Sequence, residues 1–228
     1  MFDVLVVVVG IFLGFQLDRW NEDRKETKTE LRHLERLKTD LEIEKESFQL
    51  VITRTGIRLG QIDLLKRVAM DPGVATTDPS GFIIALEQVT WRNFPIVTAY
   101  TYKELQGSGR MSSLTSGGFR RDLADYYAYM EDIGNLGFAE PLRNQFDELT
   151  AGLLSGEQLG AIEDPGRFDT RVSPEEALAV AHEFALRKEA HKWLPSYQQY
   201  EALMRVSAEK LISMENRLIA RIDSLTGR

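Results

Sequence analysis

The sequence predicts an all-α protein. An N-terminal transmembrane helix continues into a long stalk helix, and a bundle-like helical body follows. Three observations lead to this prediction: an uninterrupted apolar run near the start, no proline between Trp20 and Met70, and apolar residues recurring mostly at helical spacing elsewhere. The predicted division is a membrane anchor over residues 1–17, a stalk helix over 18–70 and a helical body over 71–228.

The apolar run covers residues 4–15 and is the basis of the predicted anchor. A helix over residues 1–17 would be about 25 Å long, the short limit for a bilayer core of about 30 Å. Trp20 follows where an interfacial aromatic side chain belongs, and Asp3 is the only charged residue before Asp18. A buried strand, a signal peptide and a core or partner-binding helix are the alternative interpretations of the run. The predicted anchor residues are Val4, Leu5, Val8, Ile11, Phe12, Phe15 and Trp20.

Basic residues follow the apolar run, and none precedes it. Under the positive-inside rule, this asymmetry places the body in the cytoplasm. Membrane lipid is therefore one expected partner of the chain. The five basic residues that follow the run are Arg19, Arg24, Lys25, Lys28 and Arg32.

The stalk carries Leu34, Leu41 and Phe48 at intervals of seven residues, which predicts a narrow apolar seam. Glu44 falls on this seam and the apolar phase drifts afterwards, so a strict coiled coil is not expected. Pro72 and the glycine after it are the stop signal that ends the helix near Met70.

The body is expected to contain several shorter helices. The pattern predicts them over residues 79–89, 98–106, 118–153 with an interruption before Pro141, 173–191 and 196–225. Ser173 followed by Pro174 and two glutamates is the clearest start signal, because it combines an N-cap with proline and acidic residues in the first turn. Residues 155–172 are predicted to form a loop.

Composition excludes several classes of function. The chain has 228 residues, 43% of them hydrophobic and 28% charged, which are globular values. The absence of cysteine excludes disulfides, thiolate-bound zinc and cysteine nucleophiles. A formal net charge of −7 argues against general nucleic-acid binding, which requires a basic face.

No motif predicts catalysis, and no metal or cofactor is expected. The chain lacks the glycine-rich nucleotide loops and the nucleophile elbow of hydrolases. His182 and His191 are nine residues apart and would lie on opposite faces of a helix, and His33 is predicted to lie at the surface. The acidic residues of the body are interpreted as solvated.

Two stretches resemble a family of uncharacterised bacterial proteins. The family is a domain of unknown function with one N-terminal membrane helix, a Trp-Asn-Glu junction and a helical body. The resemblance implies an anchored helical protein of the bacterial inner membrane and implies no activity. The matching residues are Gly10, Gln16, Trp20, Asn21, Glu22, Arg24 and Lys25 at the junction, and Ala99, Tyr100, Leu105, Ser108, Gly109, Leu123, Tyr126 and Tyr127 in the body.

Aromatic residues in the middle of the chain are interpreted mainly as core. Trp91, Phe94, Tyr100 and Tyr102 are also candidate contacts with another protein, because Trp and Tyr are favoured at interfaces. The expected function is a non-catalytic accessory or scaffold subunit that docks on a larger membrane assembly, such as a respiratory or photosynthetic one. A membrane-anchored sensor or ligand-binding module with an apolar pocket is the alternative.

Overall fold

Every regular element in the described part of the chain is helical, which confirms the all-α prediction. The computed structural model describes residues 2–91, 95, 97–134, 139–163 and 172–227. Helix α1 covers Phe2–Met70 without a break, so the predicted stop at Met70 is confirmed. The Asp71 carboxylate then accepts from Gly73 N at 2.9 Å and starts a 3₁₀ turn over Pro72–Thr77.

The remaining helices are shorter, apart from the last. A second 3₁₀ turn covers Arg110–Ser113. The α-helices that follow α1 are α2 (Pro79–Gln88), α3 (Tyr100–Gly107), α4 (Gly117–Gly134), α5 (Ala139–Thr150), α6 (Gly156–Glu163), α7 (Pro174–Leu186), α8 (Lys188–His191) and α9 (Leu194–Thr226).

Start signals explain where α6 and α7 begin. At α7, Ser173 N donates to Glu176 Oε2 at 2.8 Å and Glu176 N donates to Ser173 Oγ at 3.1 Å. These two bonds form a capping box, and they confirm the predicted N-cap at Ser173. Ser155 and Gln158 make the same reciprocal pair before α6, at 2.8 and 3.2 Å. The prediction of a loop over residues 155–172 is therefore wrong for α6, whose S-x-x-Q signal was hidden by the glycine content.

The predicted membrane helix has no support from the structure. In the described part of the chain, no helix is both long enough and apolar enough to cross a bilayer. The backbone of α1 is helical through the anchor residues Val4, Leu5, Val8 and Ile11, whose side chains lie outside the description. The transmembrane span stays a prediction.

The chain divides into two compact units. Unit 1 contains Met1–Glu46, Ile96–Tyr129 and Ser213–Arg228, and unit 2 contains Ser47–Pro95 and Met130–Ile212. Helices α1, α4 and α9 each contribute residues to both units. The predicted division into anchor, stalk and body therefore stays a prediction, since the units do not follow it.

Each unit has its own buried core. In unit 2, Phe82 lies 6.3 Å from Phe184 between ring centroids, and Phe146 meets Tyr197 edge-on at 5.6 Å. Further aliphatic residues of this core are Ile62, Leu65, Val68, Ile83, Leu86 and Leu194. The fully buried residues of unit 1 include Leu34, Leu37, Leu41, Leu105, Phe119, Leu123, Tyr126 and Ile222.

The apolar seam of α1 is longer and more regular than predicted. Residues 34, 41, 48, 55 and 62 are buried, and so are residues 37, 44, 51, 58 and 65. This is a strict heptad stripe, because both series repeat every seven residues. The predicted drift in the phase of the apolar residues is therefore wrong. The apolar pattern is interrupted in the sequence because the polar residues Glu44, Thr55 and Arg58 occupy core positions of the stripe.

Candidate functional site

Unit 1 buries two carboxyl groups around one phenol. We call Glu44 of α1, Tyr126 of α4 and Glu215 of α9 the carboxyl–phenol cluster, and none of the three has any solvent exposure. The Tyr126 Oη atom lies 2.9 Å from Glu44 Oε2 and 2.7 Å from Glu215 Oε1. The cluster therefore links the three longest helices of the unit through one hydroxyl group.

Glu44 is well supplied with donors. Its Oε1 atom accepts from Ala99 N at 2.7 Å and from Thr98 Oγ1 at 3.1 Å. One turn earlier on α1, Asp40 Oδ2 accepts from Thr101 N at 2.8 Å. Two carboxylates of α1 thus satisfy backbone donors at the start of α3, where a helix has no partners of its own.

Ala99 holds a backbone conformation that glycine favours. Its φ is 44° and its ψ is 16°, in the left-handed region. This conformation directs Ala99 N towards Glu44 and makes Ala99 the N-cap of α3. Thr98, at the predicted start of this helix, does not cap it, because its hydroxyl group donates to Glu44 instead.

Burial controls the ionisation of the cluster. The pKa of Glu215 is raised to about 8. Burial is the main cause and the charge of Glu44 adds to the rise, whereas the hydrogen bond with Tyr126 opposes it. Burial also raises the pKa of Glu44, and the donors Ala99, Tyr126 and Thr98 oppose that rise. The pKa of Tyr126 is raised far above its ordinary value by burial and by both carboxyl groups, so the phenol keeps its proton.

Aromatic rings pack beside the cluster. Tyr127 lies 4.8 Å from Tyr126 in an edge-on arrangement and stacks on Tyr102 at 4.3 Å. Tyr126 and Tyr127 are buried, which confirms the core interpretation for these two residues. Tyr100, in contrast, is 71% exposed.

The predicted partner contacts belong to different parts of the chain. Tyr100 and Tyr102 belong to unit 1, and Trp91, which is 38% exposed, belongs to unit 2. Phe94 lies outside the described residues. A contact role for these residues stays a prediction.

The start of α1 exposes large apolar side chains. Phe12 is 61% exposed, Phe15 67% and Trp20 62%. Leu13 and Leu17 are also more than half exposed. The Arg24 guanidinium lies over the Trp20 ring, 5.6 Å from its centroid.

Among the described residues, a cavity and a groove also lie outside the cluster. One, of about 130 Å³, is in unit 2, where Thr90 Oγ1 donates to Asp147 at 3.0 Å and Trp91 forms part of the wall. The other is a groove of about 680 Å³ in unit 1, between acidic residues of α1 and the segment around Arg110. Neither is the enclosed apolar pocket that a ligand-binding module requires.

The described residues contain no group of three or more His, Asp or Glu side chains placed to hold a metal ion. His33 is only 5% exposed, so its predicted surface position is wrong. Burial and the nearby Arg36 lower the pKa of His33. His191 Nε2 lies 2.8 Å from the Phe184 carbonyl oxygen within unit 2.

Comparison with known proteins does not identify a family. No family model, curated protein or solved structure matches this chain. The resemblance to the bacterial family of unknown function stays a prediction.

Proposed function

We propose that the protein is a non-catalytic accessory or scaffold subunit that the start of α1 attaches to a bacterial membrane and that docks on a larger membrane assembly. The observation that supports this most is the exposed apolar start of α1. The side chains of Phe12, Leu13, Phe15, Leu17 and Trp20 are each 56–67% exposed.

These side chains are not confined to a narrow stripe along one side of the helix. At 3.6 residues per turn, positions 12, 13, 15, 17 and 20 spread over more than half of the helix circumference. An apolar arc as wide as this is normally buried in a membrane or against protein. Because these five side chains are 56–67% exposed, removing the exposed part of them from water contributes roughly 6 kcal/mol, which favours attachment.

The residues that follow the apolar start suit a membrane interface. Trp20 combines an apolar ring with a polar N–H group, and the Arg24 guanidinium over its ring brings a cation to the same level. Charged residues then dominate α1 up to Arg32. We therefore assign the bilayer as the first partner of α1.

The proposed accessory role follows from the rest of the described chain. Glu44, Tyr126 and Glu215 bond to one another inside unit 1, and Arg58 pairs with Glu201 inside unit 2, rather than lining an open cleft. The exposed aromatic side chains Trp91 and Tyr100 are the surfaces from which we expect docking to start.

A flotation assay tests the attachment. We expect the full chain to float with vesicles of phosphatidylethanolamine and phosphatidylglycerol, and the variant Phe12→Asp/Phe15→Asp to stay at the bottom of the gradient. The matched control Leu186→Asp/Val206→Asp changes two side chains that are 72% and 61% exposed elsewhere, and it should float. Equal flotation of all three chains, or of none, would contradict the proposal.

Co-purification tests the docking. A C-terminally tagged chain extracted from its native membrane in mild detergent should bring down a stoichiometric partner complex. We expect Trp91→Ala/Tyr100→Ala to lose that partner and Met70→Ala, at a side chain 80% exposed, to keep it. A tagged chain that elutes alone from native membranes would argue against a scaffold role.

A further inference from the structure

We propose that the carboxyl–phenol cluster is a proton-operated latch for unit 1: the unit is closed when Glu215 is a neutral carboxylic acid, and loss of that proton loosens the packing of α9 against α1 and α4 within the unit. The proposal depends on the number of protons available at the cluster. It does not depend on membrane attachment.

The phenol has one proton for two acceptors. Tyr126 Oη lies within hydrogen-bond distance of oxygen atoms from both Glu44 and Glu215. If both carboxyl groups were ionised, one of these contacts would bring two oxygen atoms together without a proton between them. One carboxyl group must therefore carry its own proton and donate it to Oη.

The hydrogen-bond partners identify which carboxyl group is neutral. Glu44 receives donors from Ala99 N and Thr98 Oγ1 in addition to the phenol, as an ionised carboxylate requires. Glu215 has only the phenol, and its Oε2 atom has no hydrogen-bond partner among the described residues. The relay therefore runs from the Glu215 acid to Tyr126 Oη, and from the Tyr126 hydroxyl to the Glu44 carboxylate.

The groups around the cluster offer little compensation when the proton leaves. Helix α1 adds the carboxylate of Asp40, α4 adds the neutral phenol of Tyr127, and α3 adds the half-buried Tyr102. The charge of Lys45 on α1 lowers the pKa of Glu215 only in part, and its Nζ atom is bonded to Asn216 Oδ1 at 2.7 Å. Ionised Glu215 would thus share a buried phenol with a second carboxylate, and no described residue forms an ion pair with it.

The direction of the pH effect follows from linkage. The pKa of Glu215 rises from its ordinary value of 4.5 to about 8 in the folded unit. Between these values the closed unit binds one proton more than the open unit, so its stability falls as pH rises. The opening equilibrium constant should grow up to tenfold per pH unit in this range, and above about pH 8 the effect of Glu215 levels off.

Hydrogen exchange on the full chain tests the latch. Amide protection in the unit 1 parts of α4 and α9, corrected for the intrinsic pH dependence of exchange, should fall about 100-fold between pH 6 and pH 9. Glu215→Gln keeps a donor and an acceptor at every pH, so its protection should stay flat. The matched control Glu201→Gln removes the buried acid of unit 2 and should keep the unit 1 slope.

An identical pH slope in the wild-type chain and Glu215→Gln would overturn the proposal. Infrared spectroscopy of the wild-type chain provides a second test, which matters if Glu215→Gln does not fold. In the wild-type chain we expect the band of a protonated carboxyl group at pH 6 and its loss by pH 9. The Glu201→Gln variant should show the same band at pH 6. Absence of that band at pH 6 would refute a neutral Glu215.

Discussion

Units 1 and 2 both bury a glutamate of α9, but they surround it with different partners. Glu201 and Glu215 are fourteen residues apart, two heptads, and are 3% and 0% exposed. In unit 2, Glu201 Oε1 lies 3.3 Å from Nη1 of Arg58, which is also buried. In unit 1, Glu215 meets the Tyr126 phenol and, among the described residues, no cation.

The comparison shows that the facing side chain decides how a buried acid is accommodated. Burial raises the pKa of both glutamates, and the Arg58 guanidinium opposes that rise at Glu201. A buried ion pair is held by its two charges, so removal of either one leaves the other uncompensated. A neutral acid is held by hydrogen bonds alone and depends on its proton.

Removal of the cation from unit 2 should have the largest effect. Arg58→Met leaves Glu201 buried without its charged partner. We expect this to lower the free energy of unfolding by roughly 3–5 kcal/mol at pH 7. Urea unfolding followed by tryptophan fluorescence measures this loss, because Trp91 and Trp193 both belong to unit 2.

Two further variants separate charge from packing at this ion pair. Arg58→Met/Glu201→Leu removes both charges and should recover most of the loss. Arg205→Met breaks an exposed pair with Glu209 on α9 and should cost roughly 0.5 kcal/mol or less. A double variant as unstable as Arg58→Met would show that packing, and not the unpaired charge, is responsible.

Removal of the phenol hydroxyl from unit 1 should have a smaller effect. Tyr126→Phe deprives Glu44 of one donor and Glu215 of its hydrogen-bond partner, so we expect a loss of about 1–3 kcal/mol at neutral pH. Hydrogen exchange of unit 1 amides measures it. Tyr100→Phe, at a side chain that is 71% exposed, is the control and should change little. Equal losses in the two variants would mean that the cluster does not stabilise unit 1.

Relief of backbone strain at Ala99 should have the smallest effect and the opposite sign. The left-handed conformation costs about 1–2 kcal/mol for alanine, whereas loss of the buried methyl group costs about 0.8 kcal/mol. Ala99→Gly should therefore stabilise unit 1 by about 0.5 kcal/mol, measured by exchange of α3 amides. Ala128→Gly, on an exposed position of α4, should destabilise it by about 1 kcal/mol. A loss of stability in Ala99→Gly would show that its methyl contacts outweigh the strain.

The sequence predicts the helices better than it predicts their inner faces. The stop at Met70 and the capping box at Ser173 depend on local chemistry, which sequence shows directly. On α9, the apolar character of Leu203 and Val206 suggests inner positions, yet these side chains are 39% and 61% exposed. The buried stripe instead contains Glu201 and Glu215, because their partners lie on other helices and no local pattern displays them.

The carboxyl–phenol cluster could be found only in part from sequence. Glu44 fell visibly on the apolar seam of α1, and Glu215 lies between Leu211 and Leu218 at core spacing. A heptad count that ignored residue type would have marked both positions. The strained conformation of Ala99 has no signal in the sequence, because it follows from the carboxylate that its N–H group bonds.

The assembly of unit 1 from three distant stretches has a consequence for biosynthesis. Its core needs residues near Leu34 together with residues near Ile222, so its contacts are among the most distant in the chain. A growing chain therefore carries Glu44 and Tyr126 without Glu215 until α9 has left the ribosome. Unit 1 must complete its fold after translation of α9, and until then its apolar seam is a target for chaperones and proteases.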